Sequence, residues 1–112
     1  SMVISGNKND NRADYDQVAQ RTIECLKNCL PDELAGVAFL SGGQTDDEST
    51  NHLNLMNKNF SSLPWRVTFS YARAIQQTAL KTWAGRDDNI HKSQEVLIER
   101  ASLCSKASVG KL

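Results

Sequence analysis

The sequence carries no excess of charge of either sign, because thirteen basic and thirteen acidic residues cancel. A balanced chain has no overall field to attract nucleic acid or an anionic membrane, so any charged ligand has to be held locally. We therefore expect a pocket for a small ligand, with no nucleic acid partner and no membrane partner.

Long apolar runs are also missing. No stretch approaches the roughly 20 residues that cross a bilayer, and no charged-then-apolar leader opens the chain. These absences predict a cytoplasmic protein.

Residues typical of metal sites are few and badly spaced for that purpose. Cys25, Cys29 and Cys104 are an odd number without metal-type spacing, and we expect buried reduced thiols, because free cysteine behaves as a small core hydrophobe. His52 and His91 have no second ligand at helical spacing, so we expect surface or half-buried histidines. The sequence predicts no metal and no cofactor.

What is present is one unit that occurs three times. Short apolar runs without helical spacing cover residues 2–4, 36–40 and 66–69, and each is followed by a polar turn and a segment with helical spacing. Strands separated by helices predict an α/β fold with a parallel sheet covered on both faces. The spacing fits an open doubly wound sheet or a (β/α)8 barrel, which needs about 250 residues, so three units cannot close a barrel.

Several local signals mark the ends of the predicted helices. Asp14 can cap the first helix, Thr45 and Glu48 have the spacing of a capping box, and Gly85 can end the third helix. The acidic run 46–48 is interpreted as helix-start charge rather than as a catalytic or metal cluster, because a helix N-terminus favours negative charge. The four helices are predicted over residues 15–30, from 45 onward, over 71–83 and over 89–105.

A hydroxyl and two glycines follow the second strand. Ser41, Gly42 and Gly43 lead directly into a capped helix, which places a hydroxyl and unobstructed backbone amides at a helix N-terminus. Such an arrangement suits a phosphate, because the positive end of the helix dipole favours an anion.

The third predicted strand, residues 66–69, is followed by residues that could also bind a phosphate. Ser70 offers another hydroxyl, Ala72 another helix-start amide, and Arg73 a guanidinium that can contact two phosphate oxygens. Barrel phosphate sites are frequently built from the loops after two neighbouring strands. The two strand ends together predict a phosphate site, although a flexible turn and a solvated arginine would explain each one alone.

Two long motifs resemble a known family. "GVAFLSGGQTDDESTNHLNLMNK" and "PWRVTFSYARAIQQTALKTWAG" are similar to the C-terminal portion of class I fructose-bisphosphate aldolase, and the resemblance covers nearly the whole chain. It implies that residues 1–112 form the C-terminal part of a single (β/α)8 barrel domain, from the end of strand 6 through helix 8 and the C-terminal helix. It also implies reversible cleavage of fructose 1,6-bisphosphate to dihydroxyacetone phosphate and glyceraldehyde 3-phosphate, in glycolysis and gluconeogenesis, by a homo-oligomer, a tetramer by resemblance.

The resemblance assigns the phosphate site to the same residues: Ser41, Gly42, Gly43, Ser70, Ala72 and Arg73. Two departures from the family stand out. Ala72 occupies a position that is usually glycine, and its amide can still donate if its φ is negative. The family's Schiff-base lysine would fall just upstream of Ser1, so it is absent from this chain.

The lysines that are present are predicted to be solvated, unlike a Schiff-base lysine, which needs burial or neighbouring cations to lower its pKa.

Two other functions stay open: a phosphate-binding barrel enzyme acting on a different ketose phosphate, and a non-catalytic α/β phosphate-binding module. The chain alone is expected to be inactive.

Overall fold

Capping boxes begin the first two helices of the computed structural model, which describes residues 1–112. The carboxylate of Asp14 accepts from the Gln17 amide at 2.8 Å, and the Gln17 side chain accepts in return from the Asp14 amide. Thr45 and Glu48 repeat this exchange at the start of the second helix. Both predicted helix starts are therefore confirmed.

The chain folds into four α-helices and two β-strands. The third helix ends in two left-handed residues, Ala84 and Gly85, as the glycine predicted. A short 3₁₀ turn, Asp87–Asn89, precedes the last helix. In chain order the elements are α1 (Tyr15–Cys29), β1 (Gly36–Phe39), α2 (Asp46–Asn59), β2 (Arg66–Phe69), α3 (Arg73–Trp83) and α4 (Ile90–Ala107).

The sheet has two parallel strands, not three. β1 pairs with β2 in register from Gly36 opposite Arg66 to Phe39 opposite Phe69. The strand predicted at residues 2–4 is wrong, because this three-residue segment joins no ladder and its Val3 amide donates instead to Thr22 Oγ1 at 2.9 Å. The segment still contributes to the core, because Met2 is buried there.

The core centres on α2, which packs against α1, α3, α4 and β2. Leu53 and Met56 of this helix are fully buried. They belong to one cluster whose other large members are Met2, Val18, Ile23, Phe39, Trp65, Val67 and Tyr71. α2 therefore contacts every other α-helix and one strand of the sheet.

Only one of the three cysteines is buried. Cys104 is inaccessible, whereas Cys25 and Cys29 are exposed, so the prediction of buried thiols is wrong for these two. The buried residues of α1 end at Ile23, and both exposed cysteines follow it in the last turns of the helix. No helix of the chain is both long enough and apolar enough to cross a membrane.

Candidate functional site

The two predicted phosphate loops leave the same edge of the sheet. The first loop, residues 40–45, follows β1, and the second loop, residues 70–72, follows β2. β1 and β2 are parallel, so their carboxyl ends lie side by side, and the Ser70 amide extends the ladder by donating to the Phe39 carbonyl at 2.8 Å. α2 and α3 begin within a few residues of these strand ends. Two helix N-termini are therefore brought to one edge, where their dipoles reinforce each other.

In the first loop, only Gly43 needs to be glycine for its backbone conformation. Its φ is 76°, and a Cβ there would lie 3.3 Å from Ile4 Cδ1, whereas a Cβ on Gly42 would meet nothing within 4 Å. No backbone carbonyl of the chain accepts from the amide of either glycine. These two donors are thus available to an external acceptor.

The second loop offers a similar set of donors. Ala72 has a φ of −96°, a negative value that alanine adopts without strain, so its amide is kept as a donor, and no side chain caps α3. The amides of Ala72, Arg73 and Ala74 have no backbone acceptor. The Ser70 amide donates to the Phe39 carbonyl, so only the exposed hydroxyl of Ser70 remains available to a ligand.

A polar cleft of about 600 Å³ opens beside the two loops, and no hydrophobic residue lines it. Of the six predicted site residues, Gly43 and Arg73 line this cleft, whereas Ser41, Gly42, Ser70 and Ala72 do not. Ser41 is largely buried. The structure therefore gathers the predicted residues at one sheet edge but places only two on the cleft wall.

The charges of the cleft are partly paired. Arg12 bonds Glu48 at 2.6 Å. Burial raises the pKa of Glu48, but the Thr45 amide and the Arg12 guanidinium outweigh burial, so the pKa lies below its usual value. Arg73 and Lys81 line the same cleft and take part in no ion pair. Two cations are thus free to attract an anion.

Sequence reasoning missed a hydrogen-bonded pair beside the first loop, in which the histidine is buried. His52 Nδ1 lies 2.7 Å from Gln44 Oε1, and its ring packs edge-on against Tyr15. Burial lowers the pKa of His52 to about 4, an effect that Glu48 opposes and Arg12 reinforces. The prediction of a surface or half-buried His52 is wrong, because it shares the inward face of α2 with Leu53 and Met56, a spacing that could have revealed it.

Sequence reasoning also missed Arg100, a buried arginine of α4. It donates to the Asp46 carbonyl, to Thr50 and to the Ala74 carbonyl, so it reaches the first turns of both α2 and α3. Its position four residues after Val96 and four before Cys104, inside the apolar stripe of α4, is the signal that could have found it.

Comparison with known proteins identifies the family. The family described as "Fructose-bisphosphate aldolase class-I" matches residues 1–112. A relative from Xylella fastidiosa, "Probable fructose-bisphosphate aldolase class 1", is 50% identical over 112 residues, which are 99% of this chain and 33% of the relative. "Fructose-bisphosphate aldolase 1, chloroplastic" from Arabidopsis thaliana is 46% identical over 111 residues, 99% of this chain and 27% of the relative.

A solved structure shows the same likeness in three dimensions. Fructose-bisphosphate aldolase from Plasmodium falciparum, solved in complex with TRAP and a small-molecule inhibitor, matches with a TM-score of 0.90 and 40% identity. The match covers 98% of this chain and 31% of the Plasmodium chain. The chain thus spans about a third of the length of its relatives. It belongs to the class I fructose-bisphosphate aldolase family.

Proposed function

We propose that the protein containing this chain cleaves fructose 1,6-bisphosphate reversibly to dihydroxyacetone phosphate and glyceraldehyde 3-phosphate, in glycolysis and gluconeogenesis. The family match over all 112 residues supports this activity, as do relatives named as fructose-bisphosphate aldolases. In the family's chemistry a lysine amine attacks the ketose carbonyl, and the resulting iminium withdraws electrons from the carbon–carbon bond that breaks. This route needs no metal and no cofactor.

The chain's part in this reaction is to hold a substrate phosphate. Ser41, Gly42, Gly43, Ser70, Ala72 and Arg73 form the proposed cradle, and "the cradle" means these six residues below. The observation that supports the proposal is that unpaired amides at two neighbouring helix N-termini follow one edge of the sheet, where Gly43 and the unpaired guanidinium of Arg73 line the same cleft. Amides, helix dipoles and a guanidinium together bind a phosphate dianion better than any one of them.

The Schiff-base lysine is proposed to lie outside these 112 residues. All seven lysines of the chain are exposed, including Lys81 on the cleft wall. A Schiff-base lysine is activated by burial or by nearby cations, and none of these seven side chains is buried.

The proposed architecture is a closed (β/α)8 barrel, to which residues 1–112 contribute the end of strand 6 through helix 8 and the C-terminal helix. The parallel strand pair, the alternation with helices and the likeness to the Plasmodium enzyme support it. A tetramer in the cytoplasm completes the proposal. The compartment needs its own test, because several plant relatives are named as chloroplastic.

The test uses the full-length protein that contains this chain. Borohydride reduction with dihydroxyacetone phosphate should trap one substrate covalently, and fructose 1,6-bisphosphate should be cleaved faster than other ketose phosphates. Arg73→Ala should cost about 2 to 4 kcal/mol of transition-state stabilisation, because a charge-assisted contact with two phosphate oxygens is lost. Arg73→Lys should recover part of that loss, since the ammonium keeps the charge without the planar fork.

Arg86→Ala is the matched control, because Arg86 is an exposed arginine outside the cleft. No covalent trapping would indicate a non-catalytic phosphate-binding module, and preference for another ketose phosphate would indicate a different barrel enzyme. Equal losses on phosphorylated and unphosphorylated substrates in Arg73→Ala would make Arg73 a structural residue and remove the proposed cradle.

A further inference from the structure

Arg100 is a buried cation that α4 contributes to two other helices. Its side chain is 8% exposed. Nε donates to the Ala74 carbonyl at 3.1 Å, and Nη2 donates to the Asp46 carbonyl at 2.8 Å and to Thr50 Oγ1 at 2.7 Å. The Asp47 carboxylate lies 3.5 Å away, which partly balances the buried charge.

The acceptors of these bonds stand next to the proposed cradle. Asp46 is the first residue of α2, three positions after Gly43, and Ala74 follows Arg73 in the first turn of α3. One planar guanidinium therefore joins the first turns of the two helices whose N-terminal amides belong to, or lie next to, the proposed cradle. Arginine suits this task, because its donors are fixed in a plane and point in several directions, whereas lysine presents one compact ammonium.

From these contacts we infer that Arg100 is a positioning residue for phosphate binding: it fixes the distance between the Gly42–Gly43 amides and the Ala72–Ala74 amides without touching the ligand. The inference rests on the proposed function. Arg100 does not line the cleft, which excludes it as a direct ligand from that side. A phosphate bound by two loops at once requires both donor sets at the correct separation, and a rigid supporting contact supplies that separation before binding.

Two further bonds join the same elements and show that the separation is held by several contacts. The hydroxyl of Tyr71, in the second loop, donates to the Ser49 carbonyl in the first turn of α2 at 2.9 Å. Burial raises the pKa of Tyr71, which keeps this hydroxyl protonated as a donor. Thr78 of α3 donates to the Asp46 carboxylate. Of these residues, only Arg100 donates to backbone carbonyls of both α2 and α3.

The experiment compares Arg100→Met, Arg100→Lys and the control Arg86→Met in the full-length protein. The readouts are KM and kcat with fructose 1,6-bisphosphate, the inhibition constant of inorganic phosphate, and the rate of borohydride trapping with unphosphorylated dihydroxyacetone. Arg100→Met should raise KM and the phosphate inhibition constant about tenfold, because two loops lose their common support. Trapping with dihydroxyacetone should change less than about threefold, because its carbonyl chemistry does not need the phosphate donors.

Arg100→Lys should lie between the unmodified protein and Arg100→Met. Its phosphate inhibition constant should rise about threefold, since an ammonium cannot reach all three acceptors. Arg86→Met should match the unmodified protein. If Arg100→Met does not fold, by circular dichroism and melting, Arg100→Lys decides the question by the same readouts. An unchanged phosphate inhibition constant in a folded Arg100 variant would overturn the inference, as would equal losses with phosphorylated and unphosphorylated substrates.

Arg73→Ala separates this inference from the proposed function. If Arg73→Ala weakens inhibition by phosphate and the Arg100 variants do not, the cradle stands and the positioning role is wrong. If Arg73→Ala leaves phosphate inhibition unchanged, the cradle itself is wrong and the role of Arg100 is overturned together with it.

Discussion

Gly42 and Gly43 adjoin in sequence but differ in what a side chain would cost. Gly43 has a left-handed backbone, so Gly43→Ala should lower the free energy of unfolding of the full-length protein by about 1 kcal/mol, through strain and crowding against Ile4. Gly42→Ala should leave stability unchanged and weaken phosphate binding, because its methyl would occupy open space beside a free amide. Urea unfolding and phosphate inhibition measure the two effects, and equal stability losses would contradict this division of roles.

His52 should make stability depend on pH. Its pKa falls from an ordinary value near 6.5 when unfolded to about 4 when folded, so the unfolded chain binds the proton more tightly. Stability should therefore drop as pH falls from 6.5 to 4, by up to about 3 kcal/mol. His52→Gln should remove this slope in urea unfolding of the full-length protein.

His91→Gln is the matched control for His52, because the His91 side chain is 92% exposed. It should leave the pH dependence as it is. A slope that survives in His52→Gln would show that other groups, such as carboxylates in the polar cleft, cause it.

Moving from residues to elements, the contact between α2 and α3 depends in part on one exposed hydroxyl. Thr78 Oγ1 donates to the Asp46 carboxylate at 2.5 Å, whereas the Thr82 hydroxyl bonds a carbonyl of its own helix. Thr78→Val should cost about 1 kcal/mol of stability, because it removes a hydrogen bond to a charged acceptor. Thr82→Val, with the same change of shape in the same helix, should cost less. Equal losses in chemical unfolding would mean that the link contributes nothing.

Elements defined by short sequence signals could be predicted, because their cause is local. The capping boxes that begin with Asp14 and Thr45 each need only four consecutive residues, and α1 and α2 begin there. The parallel pairing of the strands at 36–39 and 66–69 followed from the helix between them. The placement of the two loops at one edge followed from the same pairing, so the location of the candidate site could be predicted too.

What could not be predicted depends on contacts between distant parts of the chain. Arg100 bonds Asp46 and Thr50 across 54 and 50 positions, and no periodicity in α4 identifies those partners. Residues 2–4 have the composition of a strand, but the Thr22 hydroxyl takes the Val3 amide. Cys25 and Cys29 were predicted to be buried and are exposed, because burial depends on which neighbouring element covers each part of a helix.

At the scale of the whole molecule, the 112 residues enclose little of their own apolar surface. The sheet has only two strands, and 21 of 112 residues are buried. Large apolar side chains such as Leu40, Leu80 and Ile98 are more than half exposed. The radius of gyration is 15.3 Å, whereas a compact domain of this length has about 13 Å. In the proposed barrel, the rest of the protein would cover these surfaces.

The isolated 112-residue chain should therefore be marginally stable or molten. Small chains gain little from burial, and exposed apolar patches and open strand edges promote association. We expect a broad thermal transition, strong binding of a hydrophobic dye and poorly dispersed amide resonances, while the full-length protein melts cooperatively. The stability of the full-length protein serves as the reference, measured in the same buffer. A sharp melt with dispersed resonances from the isolated chain would show that the core around α2 is sufficient by itself, and would contradict its proposed place as part of a larger barrel domain.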